Sequence, residues 1–361
     1  MSRRPREIRP ETRDEVVQCV RDLVAKEHTY AVEGFGTRRS FAAPEGWIRA
    51  RISLAALDRI ERLDAEDMTC RVQCGVRLSD LMAALEEKGL TLESGPFADP
   101  RSRSLGGLFS QAPHSPRGWD RGSLRSQLLG ISALDGSGRE FAAGGRVVKN
   151  VAGYDLMKLF VGGGGAWFTG LELELRLIRR PALTRVFSSA PQPIEEALGL
   201  WRSLRPSWTE ARSLDLHVLG DGSATVELVV AGRHRRVEAY RAPEGLTLDE
   251  SAPELWDRLS PIADIAYPTH RGQVLPSQSR TWVQALGQGC RGSLHLHGHY
   301  SVLVEPTRTQ QHGLFLPGFS HLGMMLAGAE QAARLKRTIA RLLAPDRLSF
   351  DTPVHEEVDR I

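Results

Sequence analysis

The chain has 361 residues, of which 41% are hydrophobic and 25% charged, and its formal net charge at pH 7 is +3. This is ordinary globular composition, so general disorder is excluded, and the length is sufficient for a large core and two domains. The small net charge gives no reason to expect nucleic-acid binding.

The expected compartment is the cytoplasm. No apolar run approaches the roughly 20 residues that cross a bilayer, and the start lacks the apolar core of a secretory signal. The four cysteines contain no CxxC pair, so we expect reduced thiols and no iron-sulfur cluster held by this chain itself.

The N-terminal region is expected to contain a tail, a helix and a strand that ends in a glycine turn. Residues 1–9 carry four arginines against one glutamate and are expected to be a flexible basic tail. Apolar residues at helical spacing predict an amphipathic helix within 10–27. Strand 29–33 then enters Gly34-Phe-Gly-Thr37, whose main-chain N–H groups could face an anion such as a pyrophosphate. An ordinary hairpin turn is the alternative, and the pattern of neither a P-loop nor a Rossmann motif is complete.

The next segments alternate between strand and helix patterns, with a second glycine-rich loop at 104–110. A DG turn between strand patterns predicts a hairpin over 127–143, and strict alternation predicts a half-buried strand at 171–178. The other predicted elements are strand 47–53, a short helix 54–62, strand 68–74 and helix 78–88, which Gly89 ends.

The window from Gly144 to Gly165 combines two glycine clusters with Lys149, Asn150 and Tyr154. Such glycine density is needed where φ is positive or where a ligand approaches bare main chain. The three polar side chains add donors and acceptors for a large polar ligand. A loop that only turns the chain between packed elements is the alternative.

A second domain is predicted after Pro181, because dense glycine clusters end there. We place the division at 182/183, which gives a first domain over 10–182 and a second α+β domain over 183–361. Its predicted elements are helices 194–204 and 330–343 and strands 213–219 and 224–231.

A histidine cluster, His295-Leu-His297-Gly-His299, lies in this second domain. Strand alternation would put the three side chains on one face, where they could act as bases, bind a metal, line a cleft or face solvent. Same-face neighbours are nearly 7 Å apart at roughly 3.3 Å per residue, which is wide for one ion, so we expect no metal here. His297 and His299 are the candidate catalytic residues.

The ordered set of glycine motifs resembles the FAD-binding domain of the vanillyl-alcohol oxidase/PCMH family. The stretch Lys149-Asn-Val-Ala-Gly-Tyr-Asp155 is most similar to E subunits of bacterial glycolate oxidases. The resemblance implies an α+β fold, with a two-subdomain PCMH-type FAD-binding domain followed by an α+β cap domain, and non-covalent FAD as the cofactor. It also implies a second flavin subunit and an iron-sulfur subunit as partners, a small 2-hydroxy acid as substrate, and membrane association, if any, through those partners.

The resemblance also implies which residues contact FAD. Those carried over are Gly34, Gly36, Thr37 and Arg38 around the pyrophosphate, Gly106, Gly107 and Ser110 along the cofactor, Gly122 and Ser123 in a further loop, and Lys149, Asn150, Gly153 and Tyr154 near the flavin.

Three departures from the family pattern leave two function classes open. Phe35 replaces the usual middle glycine of the first turn, Phe168 replaces a later glycine, and the C-terminal Asn-Pro-Gly-Arg ending is missing. The chain is therefore expected to be either a flavoprotein subunit active in 2-hydroxy acid oxidation or a non-catalytic assembly subunit with the same fold.

Overall fold

The computed structural model describes residues 4–37, 48–92, 101–112, 124–145, 155–165, 167–205, 211–250, 269–273, 276–285, 291–295 and 299–303. The α-helices in these ranges are α1 (Arg13–Ala25), α2 (Leu78–Glu87), α3 (Leu105–Gln111), α4 (Leu124–Gln127), α5 (Met157–Phe160), α6 (Ile194–Leu204), α7 (His234–Glu238) and α8 (Ser279–Ala285), and Pro276–Gln278 form a 3-10 turn. The strands are β1 (Arg6–Ile8), β2 (Tyr30–Glu33), β3 (Ala50–Ser53), β4 (Ile60–Asp64), β5 (Thr69–Gln73), β6 (Leu90–Thr91), β7 (Leu128–Leu134), β8 (Glu140–Gly144), β9 (Thr169–Arg176), β10 (Ile178–Arg179), β11 (Leu183–Ser188), β12 (Gln192–Pro193), β13 (Ala211–Val218), β14 (Ser223–Gly232), β15 (Thr247–Leu248), β16 (Thr269–Gln273), β17 (Arg291–His295) and β18 (His299–Leu303).

The first subdomain is a three-stranded parallel sheet in the order β1-β3-β2. Helix α1 connects β1 to β2 and begins where Thr12 Oγ1 accepts a hydrogen bond from the Glu15 N–H. The structure differs here from the predicted flexible tail, because residues 6–8 pair with β3 as a strand. The helix itself was correctly predicted.

The second subdomain is a five-stranded antiparallel sheet in the order β4-β5-β9-β7-β8. The short helix predicted over 54–62 is wrong. The Leu57 N–H closes a turn onto the Leu54 carbonyl, and β4 then pairs with β5. The helical spacing of apolar residues in this short window is a weak signal. The pairing of β4 with β5 decides the structure of its second half.

Strand β9 lies at the centre of this sheet, and its apolar face is buried as predicted. On its other face Glu172 is also buried, Glu174 is half-buried and Arg176 is exposed. Its outward Glu172 accepts hydrogen bonds from Arg13 Nη1 at 2.9 Å and from Arg71 Nε at 2.8 Å. These arginines come from α1 and the neighbouring β5, so the alternating glutamates face a layer of ion pairs. The alternation itself was correctly predicted.

The second half of the described chain forms one antiparallel sheet in the order β15-β11-β14-β13-β17-β18-β16, with β12 paired to β14. Helix α6 packs on β13 and β14, and it has the predicted bounds. A hydrophobic cluster drawn from residues 187–294 lies beneath it, separate from the cluster of residues 16–177 in the first half. The division at 182/183 stays a prediction, and the predicted helix 330–343 lies outside the described residues.

The histidine cluster does not lie on one strand, so that prediction is wrong. Strand β17 ends at His295, and β18 begins at His299 and runs back antiparallel to it. The alternation of histidines spans a reversal of the chain rather than a continuous strand. His297 lies outside the described residues, and only the backbone position of His299 is described.

Candidate functional site

A groove lies at the junction of the two subdomains of the first half. One wall is the segment that follows β2, the floor is α3, and the opposite wall is the glycine run before β9. Six of the predicted cofactor residues line it together: Gly34, Gly36, Thr37, Gly106, Gly107 and Ser110. The structure thus brings into one place residues that are up to 76 positions apart in the sequence.

The turn after β2 has backbone N–H groups that make no hydrogen bond within the part of the chain that the structure describes. These are the N–H groups of residues 34–37. Gly36 has a φ of +70°, a conformation in which a side chain is strained. The turn is anchored through other groups, because Ser53 Oγ donates to the Gly34 carbonyl and Thr37 Oγ1 donates to the Ser102 carbonyl. A fixed turn with unused N–H groups is the geometry of an anion site.

The glycine-rich loop predicted at 104–110 is a helix, α3, and this part of the prediction is corrected. Ser104 caps it, because its Oγ accepts from the Gly107 N–H at 3.2 Å. The Gly106 N–H donates to the Cys74 carbonyl at 2.8 Å. These two glycines therefore offer the groove bare Cα surface rather than backbone donors.

Close packing explains why two of the groove residues are glycines. A Cβ on Gly34 would lie 2.0 Å from Ser104 Oγ, and a Cβ on Gly106 would lie 2.8 Å from the Cys74 Cβ. Side chains there would push the turn after β2, α3 and β5 apart. The absence of side chains at these two glycines therefore allows the two subdomains to approach each other closely at the groove.

The groove has a buried positive wall that the sequence did not reveal. Arg103 and Arg51 both line it and are only 6% and 2% exposed. The Arg51 guanidinium lies 3.6 Å from the Glu33 carboxylate, which offsets part of its charge. Burial raises the pKa of the Cys74 thiol, so this groove residue adds no negative charge. The sequence around Arg103 carries no signal of this role. Arg103 is recognised as a groove residue only from its position in the fold, beside two glycine segments.

The glycine run before β9 is fixed against α3. The Gly162 N–H donates to the Phe109 carbonyl at 3.1 Å, and the Gly164 N–H donates to the Ser110 carbonyl at 2.8 Å. Gly162, Gly164 and Gly165 all have positive φ, between +64° and +76°. This end of the glycine-rich window is therefore part of the groove wall, as the binding-surface interpretation requires.

The two phenylalanines that depart from the family pattern both pack against protein groups in the groove wall. The Phe35 ring centroid lies 4.1 Å from Cζ of Arg77, a cation-π contact. Phe168 is 5% exposed and contacts Phe141 edge-on, with 4.9 Å between ring centroids. Both rings have partners within the protein, although Phe168 is buried and Phe35 is only half-buried.

The remaining predicted contacts lie outside the described residues: Arg38, Gly122, Ser123, Lys149, Asn150, Gly153 and Tyr154. The structure describes the chain up to residue 145 and again from Asp155, on either side of Lys149 to Tyr154. Arg125 anchors the second of these ends at Asp155. Its Nε donates to Asp155 Oδ2 at 3.1 Å, and its Nη1 donates to the Leu128 carbonyl at 2.8 Å.

Comparison with known proteins gives a match within the first half of the chain. Residues 6–144 match the model of the family described as "FAD binding domain". This segment is similar to FAD-binding domains. Most of the residues that line the groove lie within the matched segment. The exceptions are Phe160, Gly164, Gly165, Phe168 and Gly170.

Two relatives of the chain carry the name glycolate oxidase subunit. The GlcD subunit of Bacillus subtilis (strain 168) is 30% identical over 141 residues, 39% of this chain and 30% of the relative. The GlcE subunit of Escherichia coli (strain K12) is 33% identical over 122 residues, 34% of this chain and 35% of the relative. The match thus spans about a third of the length of these relatives.

The fold extends beyond the matched segment. A solved structure of alkyldihydroxyacetonephosphate synthase aligns over 94% of this chain and 74% of its own, with a TM-score of 0.67 and 12% identity. At that identity the likeness shows the fold alone, and it confirms the predicted α+β class. Among the helices of the described ranges, none is long and apolar enough to cross a membrane.

The groove residues fit FAD. The cofactor carries a pyrophosphate, and the unused N–H groups of residues 34–37 and the buried charge of Arg103 suit such an anion. The glycine surface of α3 admits a flat ring or a sugar at close range, because Gly106 and Gly107 project no side chain into the groove.

Proposed function

We propose that the chain is an FAD-binding subunit that takes part in the oxidation of a small 2-hydroxy acid. The observation that carries the proposal is the groove, where a turn with unused N–H groups, a buried arginine and a glycine-lined helix meet within a segment similar to FAD-binding domains. Relatives named glycolate oxidase subunit support the hydroxy acid as substrate class.

The chain's own residues would bind and orient the cofactor. Residues 34–37 would hold the pyrophosphate through their N–H groups, and Arg103 would balance its charge. Residues 106–110 would lie along the cofactor, and residues 149–154 near its ring remain a prediction. Bound FAD would supply the redox step by accepting hydride from the α-carbon of the hydroxy acid.

A second function is favoured by the two phenylalanines of the groove wall. Phe35 and Phe168 occupy positions where the family pattern has glycine, and both are packed into the wall. Such a groove could hold FAD for structural reasons and leave substrate chemistry to a partner. In either case we propose a glycolate oxidase-type complex with a second flavin subunit and an iron-sulfur subunit.

Titration of the purified chain with FAD tests cofactor binding at the groove. We expect saturable binding in the wild type and its loss in Gly107→Trp, because an indole at residue 107 fills the groove floor. Gly199→Trp is the matched control, since Gly199 is exposed on α6 and a Cβ there meets nothing within 4 Å. Equal FAD binding by both variants, with circular dichroism unchanged, would show that FAD does not lie in this groove.

Addition of substrate separates the two functions. The FAD-loaded chain is mixed anaerobically with glycolate or D-lactate in the absence of partner subunits, and its visible flavin absorbance is followed. Bleaching supports the catalytic function and excludes the assembly function. The assembly function is supported by a different pattern. The isolated chain then keeps its flavin colour, while the partner flavin subunit is bleached by the substrate both by itself and in complex with this chain.

A further inference from the structure

A second cluster of polar side chains lies on the sheet of the second half, away from the hydrophobic cluster beneath α6. Strand β13 alternates, so that Leu214 and Leu216 belong to that cluster, while Asp215 and His217 project from the opposite face. Glu227 of β14 is paired directly across from Asp215. Strand alternation and register therefore place one imidazole and two carboxylates on the same face.

The three groups are close together, and two of them are buried while Glu227 is half-buried. One potential ligand atom from each of Asp215, His217 and Glu227 lies within 4.8 Å of the other two. Asp215 is 3% exposed and His217 is 6% exposed, so the cluster is largely removed from water.

The imidazole of His217 is held with one nitrogen unused. Its Nδ1 lies 2.8 Å from Ser293 Oγ on the adjacent strand β17. Its Nε2 is buried and has no hydrogen-bond partner among the described residues. A metal-binding histidine typically has this arrangement, in which one ring nitrogen binds the ion and the other donates its proton to a fixed oxygen.

We propose that Asp215, His217 and Glu227 bind a divalent first-row transition-metal ion, with Zn²⁺ as the best candidate. The ion would take Nε2 of His217 and one oxygen from each carboxylate, at about 2.0–2.2 Å. It would supply a partner for the buried nitrogen of His217. Imidazole in the ligand set favours Zn²⁺ over Mg²⁺, which prefers oxygen ligands alone.

This site is independent of the proposed FAD groove. None of its residues lines the groove, and all three lie beyond the segment matched to the FAD-binding domain. No metal site was predicted from the sequence, including at the histidines of 295–299. The Asp-x-His spacing of 215–217 does not by itself predict a metal site. The third ligand, Glu227, comes from the neighbouring strand and is placed by the pairing of β13 with β14.

Equilibrium dialysis of the full chain against buffered Zn²⁺, with the bound metal measured by elemental analysis, tests the proposal. We expect close to one Zn²⁺ per chain in the wild type and at least about 100-fold weaker binding in His217→Gln. His234→Gln is the matched control, because the side chain of His234 is 60% exposed and its Nδ1 pairs with Glu238 on α7. Mg²⁺ at the same concentration should not displace the Zn²⁺.

Two further measurements keep the result decisive if His217→Gln folds poorly. Ser293→Ala should weaken Zn²⁺ binding by about 10–100-fold, because it removes only the oxygen that orients the imidazole. Co²⁺ in the wild-type chain should give the visible absorption of a four- or five-coordinate ion. Absence of stoichiometric Zn²⁺ from the wild type, or unchanged affinity in both variants, overturns the proposal. FAD retention is measured in each sample, so failure here is distinguishable from failure of the flavin assignment.

Discussion

The glycines of the groove are required for two different physical reasons. At Gly36 the backbone has a φ of +70°, which L side chains rarely adopt. At Gly34 φ is not positive, but a Cβ would lie 2.0 Å from Ser104 Oγ. A glycine-rich sequence predicts either a positive φ or a close approach by another residue, but it does not show which of the two applies. For Gly34 the close approach is by Ser104, which is 70 positions away.

At Gly36 the backbone conformation can be tested separately from general stability. We expect Gly36→Ala and Gly89→Ala each to lower the free energy of unfolding by roughly 1–2 kcal/mol, because both positions have positive φ. Only Gly36→Ala should also weaken FAD binding, by about tenfold or more, which equals about 1.4 kcal/mol. Gly89 is a suitable control because it ends α2 and a Cβ there meets nothing within 4 Å.

Chemical denaturation and FAD titration of the same two samples give the necessary measurements. A loss of FAD affinity in Gly89→Ala equal to that in Gly36→Ala would mean that the loss follows stability rather than the turn. Unchanged affinity in both variants would remove residues 34–37 from the pyrophosphate site.

Buried polar residues were the functional candidates that sequence analysis missed. Arg103 and His217 are both largely buried, yet neither belongs to a recognisable motif. An arginine is most often at the surface and a histidine is intermediate, so the burial of either depends on neighbours from other elements. No local signal was available for either residue.

At the scale of elements, helix α3 connects the two subdomains through its cap. Ser104 Oγ accepts from the Gly107 N–H and also lies against Gly34, so one hydroxyl both starts the helix and contacts the turn after β2. The residue is 4% exposed. A change at this cap therefore affects the helix and the groove together.

Removal of two matched caps should separate these effects. Ser104→Ala and Thr12→Ala each delete an N-cap oxygen, of α3 and α1, and each should lower the free energy of unfolding by about 1 kcal/mol. Only Ser104→Ala should weaken FAD binding, because Thr12 does not line the groove. The measurements are thermal denaturation of the apoprotein and FAD titration; weaker FAD binding in Thr12→Ala as well would assign the effect to global stability.

Elements with strong local signals were predicted well, and those that depend on pairing were not. The hairpin of β7 and β8 follows from Asp135, whose side chain accepts from the N–H groups of Ser137 and Arg139. The bounds of α6 follow from its apolar spacing. The helix predicted at 54–62 and the single histidine strand failed, because long-range strand pairing decides both segments and a sequence window does not contain it.

At the scale of the whole molecule, the two large hydrophobic clusters divide the described chain, and each carries one proposed ligand site. The groove lies within the cluster of residues 16–177, and the metal-binding residues lie on the sheet of the cluster of residues 187–294. The sequence predicted the first site because its motifs are local. It did not predict the second, which requires the register of β13, β14 and β17.

Hydrogen exchange with each ligand should show that the two clusters respond separately. FAD at 100 times its dissociation constant stabilises the state that binds it by about 2.7 kcal/mol. We therefore expect FAD to slow amide exchange in β2 and α3 and to leave β13 and β14 unchanged, because local opening of each cluster is governed by its own contacts. Zn²⁺ should slow exchange in β13 and β14 and leave β2 and α3 unchanged. Protection of all four elements by either ligand alone would show that the clusters unfold as one cooperative unit, and it would contradict the division at 182/183.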